Sequence, residues 1–96
     1  MRPVAREDLV RGQQEIMLRF AFSETVLGPD ASINLLQSLE MALRSYIDAL
    51  REEFEMIKSV VPVSGRLAFE CGIRGTECFL EWTHYALATY EKEGTK

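Results

Sequence analysis

Ninety-six residues suffice for one domain, and a chain of this size buries only a little over ~60% of its unfolded surface, so its core is thin. A hydrophobic fraction of 47% against 27% charged is the balance of a globular protein, not of a disordered one. Net charge is −4 with eleven scattered Lys and Arg, which excludes the basic stripe of a nucleic-acid binder, and no apolar run nears the ~18 residues of a membrane span.

The first residues, Met1-Arg2-Pro3-Val4-Ala5-Arg6-Glu7-Asp8, lead into no apolar signal-peptide region, so a cytoplasmic location is expected. A first helix is expected from Asp8 to Leu27. Leu9, Ile16, Phe20 and Leu27 fall on one line that Val10, Met17 and Ala21 widen, which is the period of an amphipathic helix. Gly28-Pro29 stops it. Leu18 and Phe22 lie on the opposite side, where a monomer prefers polar groups.

A second helix, residues 31 to 60, follows with Asp30 or Ser32 as its cap and Val61-Pro62 as its end. Leu36, Leu39, Leu43, Tyr46, Leu50, Phe54, Ile57 and Val61 step by threes and fours, making a rod of roughly 45 Å. Its outer face alternates in sign through Glu40, Arg44, Asp48, Arg51, Glu55 and Lys58. Pairs at these spacings contribute ~0.2–0.5 kcal/mol each and read as an ordinary solvated face more readily than as a docking face.

The string Asp48-Ala49-Leu50-Arg51-Glu52 resembles part of the active site of the all-helical chorismate mutases, which are dimers of about this size. Those enzymes carry a Lys nine residues before the Asp, where this chain has Leu39. A wider pattern runs through Leu43-Arg44-Ser45-Tyr46-Ile47, Leu50, Glu53-Phe54-Glu55, Val61-Pro62 and Gly72-Ile73. Over residues 43–80 it resembles a family of short actinobacterial helical proteins that carry a domain of unknown function and are often labelled natural-product biosynthesis accessory proteins. Members commonly have Gly and His where this chain has Ser45 and Tyr46, and Pro in place of Glu52. The resemblance implies a cytoplasmic helical accessory protein and transfers no catalytic residue.

A third helix, residues 65 to 90 with Ser64 as cap, holds both cysteines, the single histidine and the single tryptophan. On a wheel Glu70, Arg74, Glu77, Glu81 and His84 form one polar stripe, with Arg74 placed to pair with Glu70 and Glu77. Leu67, Cys71, Cys78, Trp82 and Tyr85 take one flank; Phe69, Ile73, Leu80 and Leu87 take the other. Gly72 and Gly75 each cost roughly 1 kcal/mol inside a helix, so close packing of another helix is the expected reason for them. Cys71 and Cys78 are about 10.5 Å apart along a helix, too far for a disulfide, and are expected to act as small hydrophobes. Glu81 and His84 form a Glu-x-x-His, the pair used in di-iron bundles, but that chemistry needs two such motifs and further inward glutamates, for which Glu24 and Glu53 are the nearest candidates.

Three helices with short connections predict an all-α, three-helix antiparallel bundle with a long central helix, a single domain over residues 1–96, expected to dimerise. Leu18, Phe22, Phe69, Ile73, Leu80 and Leu87 are the candidate interface, and Tyr46, Trp82 and Tyr85 the candidate pocket. No catalytic residue and no cofactor is nominated. The expected role is interaction with a second copy or another protein, without nucleic acid or membrane. The alternative is a small all-helical enzyme or small-molecule-binding bundle, chorismate-mutase-like or a metal-binding dimer.

Overall fold

The computed structural model describes residues 12–94 as three helices, and no strand occurs among them. Helix α1 is Gln13–Leu27, α2 is Pro29–Ile57 and α3 is Val63–Gly94. The chain is an all-α three-helix bundle, and no described helix is long and apolar enough to cross a membrane.

Each helix boundary has a local cause. The expected start of α1 at Asp8 is corrected to Gln13, because Gly12 sits at φ 132, a conformation that glycine tolerates and a helix does not; residues 8–11 lie outside the described residues. Gly28, at φ 94, is the whole joint between α1 and α2. Its N–H donates to the Glu24 carbonyl at 2.9 Å, its own carbonyl accepts from the Ala31 N–H at 3.2 Å, and Pro29 takes the first position of α2, where a missing N–H costs nothing. The start of α2 therefore precedes the expected caps Asp30 and Ser32. At the far end α2 stops at Ile57, where the N–H groups of Val60 and Val61 turn back to the Ile57 carbonyl. Helix α3 begins at Val63 rather than after Ser64, with the Pro62 carbonyl accepting the Arg66 N–H at 3.0 Å, and it continues past the expected end at Tyr90.

The elements run antiparallel. Phe54 meets Phe69, Arg51 meets Glu77 and Glu40 faces His84, a register that closes around the turn at residues 58–62. On the other side of α2, Ser23 bonds Ser32 at 2.5 Å, and both are fully buried. Ile16, Leu35, Leu39, Leu43 and Phe79 form the core, flanked by Met17, Phe20, Ala42, Leu80 and Trp82. Buried Leu36, Ile47, Thr83 and Ala86 extend it. The expected line on α1 shifts at its end: Ile16, Phe20 and Ser23 face inward, whereas Ala21 and Leu27 are exposed.

That core occupies one half of the molecule. With 15 residues against 29 and 32, α1 spans only half of the α2–α3 hairpin. Among the described residues, every buried one belongs either to the half beneath α1 or to α1 itself, and none from Asp48 to Cys78 is buried. The molecule is accordingly long, 51 × 24 × 17 Å, with a radius of gyration of 15.6 Å, above the ~12.5 Å of a compact domain of this length.

Candidate interaction faces

Three surfaces merit a chemical reading: the outer side of α1, the charged groove of the hairpin, and the groove that α1 leaves uncovered.

Helix α1 carries apolar residues on more than one side, so packing one side leaves others in water. Leu18, Phe22 and Val26 step by four along that outer side and are 60%, 62% and 73% exposed. The other candidate interface residues lie elsewhere. Phe69, Ile73, Leu80 and Leu87 are half-buried, and Phe69 meets the ring of Phe54 at 5.8 Å, so this flank of α3 faces α2.

One broad face of the hairpin is polar. Arg44, Asp48, Arg51, Glu77 and Glu81, with Ile47 and Leu80 beneath, line a shallow groove. Arg51 pairs with Glu77 across the two helices, which replaces the expected Arg74–Glu77 contact. Within α2, Glu40 holds Arg44 at 2.7 Å and Glu55 holds Lys58 at 2.7 Å. His84 lies 3.7 Å from Glu40, so the imidazole of the Glu-x-x-His pair leans toward α2. Glu81 and His84 are both exposed, and among the described residues no group of three or more His, Cys, Asp or Glu is arranged to hold a metal ion. The position that chorismate mutases give to Lys is Leu39, at the centre of the core, and Arg51 of the Asp48–Glu52 string is engaged by Glu77.

The opposite broad face holds the main corrections. Gly72 and Gly75 were expected to admit a neighbouring helix. Among the described residues none does so, since both are exposed and a Cβ at either would meet nothing within 4 Å. The reason is the length of α1, which begins at Gln13 and leaves the glycines as the floor of an open recess, with Ile16, Leu43, Tyr46 and Phe79 at its inner end. Cys71 and Cys78, expected against apolar neighbours, are both exposed, Cys71 at the edge of this recess.

The three aromatics of the expected pocket do not converge. Tyr46 lines the recess; Trp82 packs edge-on to Phe20 at 5.6 Å and against Phe79 at 6.1 Å; Tyr85 is 68% exposed. Trp82 is a spacer. No Cα of α1 comes within 8 Å of one in α3, and Phe20, Trp82 and Tyr90 fill the gap between them. A cleft of about 640 Å³ opens at the α1–α2 joint between Glu24, Asp30, Ile33, Thr89, Tyr90 and Glu93.

No protein-family model matches the chain, and neither a curated protein nor a solved structure matches it significantly.

Proposed function

We propose that this chain is a small helical interaction module that works by binding protein, a second copy of itself included, and not by turning over a substrate. One observation carries the reading: the hairpin runs from Asp48 to Cys78 without a buried residue while keeping Leu50, Phe54, Ile57, Phe69 and Ile73 only half-covered. Burial is worth ~25 cal/mol per Å² of apolar surface, so a half-built core is stabilised by whatever completes it. The exposed Leu18–Phe22–Val26 stripe supports the same conclusion. A role in natural-product biosynthesis is part of the proposal only through the resemblance over residues 43–80.

A second reading, a small-molecule-binding bundle, draws support from the cleft at the α1–α2 joint. Its Glu24, Asp30 and Glu93 carboxylates beside Tyr90 suit a cationic organic ligand. Native mass spectrometry of the protein as purified separates the two. The interaction reading expects a multimer free of adducts at micromolar concentration. A monomer carrying a small molecule would transfer the lead to the cleft.

A further inference from the structure

We propose that α1 exchanges between two copies of this chain: the joint at Gly28 opens, and each α1 takes on a second copy the seat it holds on its own hairpin. The inference rests on the interaction-module reading and names its partner.

Helix α1 is held by a short set of contacts. Ile16 enters the core with Leu35, Leu39, Leu43 and Phe79, Phe20 meets Trp82 and Tyr90 edge-on, and Ser23 bonds Ser32. No Cα of α1 comes within 8 Å of one in α3, so α1 can leave while the hairpin keeps its Phe54–Phe69 and Arg51–Glu77 contacts. An α1 from a second copy makes the same contacts residue for residue. Contact chemistry therefore does not favour the chain's own helix, and the joint decides.

That joint is one residue long. Gly28 sits at φ 94, ψ 170, a region that only glycine enters without strain. Its two hydrogen bonds lie on opposite sides of the N–Cα bond. The N–H donates to Glu24 on the α1 side, and the carbonyl accepts from Ala31 on the α2 side, so rotation about φ breaks neither. Pro29 directs that rotation, because a residue before proline avoids the helical region and prefers an extended φ of about −120°. Since ψ is already extended, one torsion swings α1 away from α2. Pro29 also prevents the two helices from merging into one straight rod.

A short joint held away from ordinary backbone geometry favours exchange, since closing it within one chain stores strain that opening relieves. The two chains cross at their joints, so the two-fold axis passes there. Val26 and Leu27, 73% and 54% exposed, adjoin the joint, and exchange brings two copies of that apolar end together.

Mixing two variants tests the exchange directly. One chain carries Ser23→Cys and the other Ser32→Cys, both with Cys71→Ser and Cys78→Ser to remove the exposed thiols. The two hydroxyls are 2.5 Å apart, so mild oxidation should yield a covalent heterodimer only where α1 of one chain lies on the hairpin of the other. Light scattering over a dilution series of Gly28→Ala gives a second reading. A methyl there meets no atom within 4 Å and strains only the closed joint. It should disfavour each closed joint about fivefold or more, and with two joints relieved per dimer the dissociation constant should fall at least about 25-fold. Three glycines inserted after Gly28 relax the closed joint and should return the chain to monomer at the same concentrations. A dimer indifferent to Gly28→Ala, with no covalent heterodimer from the mixture, would overturn the exchange and leave the interaction reading intact on the Leu18–Phe22–Val26 stripe. A monomer at all micromolar concentrations, for wild type and Gly28→Ala alike, would overturn the exchange and remove a second copy from the partners of the module.

Discussion

Gly75 is the residue whose environment departs furthest from its sequence context. Two glycines three apart in an otherwise apolar helix imply a close neighbour, and the space above both is open. The sign of a substitution follows from that space. Gly75→Ala should stabilise the dilute monomer by about 1 kcal/mol in urea, since Ala has the higher helix propensity and nothing obstructs its methyl. A loss of stability would mean a neighbour within the same chain. Ser32 behaves in the opposite way. It is fully buried against the Ser23 hydroxyl at 2.5 Å, and Ser23 also donates to the Phe20 carbonyl at 2.8 Å. Ser32→Leu should cost about 1–3 kcal/mol by overpacking, read from the same urea transition. The sequence concealed this contact: Ser32 reads as a helix cap by residue type, and only the one-residue joint at Gly28 carries it past the cap into the helix crossing. The exposed thiols were hidden by the same logic, because a wheel tells which residues share a side and not whether anything lies above that side.

At the scale of the element, α2 was the most legible and α1 the least. The threes and fours from Leu36 to Ile57 identify the inward side of the first half of α2, where Leu36, Leu39 and Leu43 are buried; beyond them Tyr46, Leu50, Phe54 and Ile57 are only half-covered, and Leu35 and Ile47, off that line, are buried as well. Helix α1 has apolar residues on every side, so no single line stands out, and its inward set includes a serine. Its attachment rests on few contacts. Phe20 meets Trp82 and Tyr90 edge-on, bridging to an α3 whose backbone stays distant. Phe20→Ala should therefore cost about 2–3 kcal/mol and shift the emission of the single tryptophan to the red as α1 loosens. Unchanged Trp82 emission would place the docking energy elsewhere on α1, with Ile16 the next residue to test.

For the whole molecule, the all-α three-helix architecture was readable from helix periods and short connections, whereas the uneven distribution of its core was not. Unevenness depends on the length of α1 relative to the hairpin, and that length depends on a backbone angle at Gly12. A regional stability gradient follows. In dilute monomer, amides of residues 48–77 should exchange faster than those of residues 35–47 and 79–86, because opening the tip exposes less buried surface. Mass-resolved hydrogen exchange would show this directly. Raising the protein concentration should slow the tip selectively, and uniform protection at every concentration would argue against a divided core.

The core joins Ile16 to Phe79, and synthesis imposes an order on that contact. Leaving the ribosome at ~5–20 residues per second, the first partner waits about 3 to 13 s before the last is made. Over that interval α1 and the front of α2 have each other, through Ser23 and Ser32, but not the ring that closes them. Polysomes hold many such unfinished chains side by side, so the apolar stripe of Leu18, Phe22 and Val26 is available to a sibling helix or a chaperone before the bundle exists.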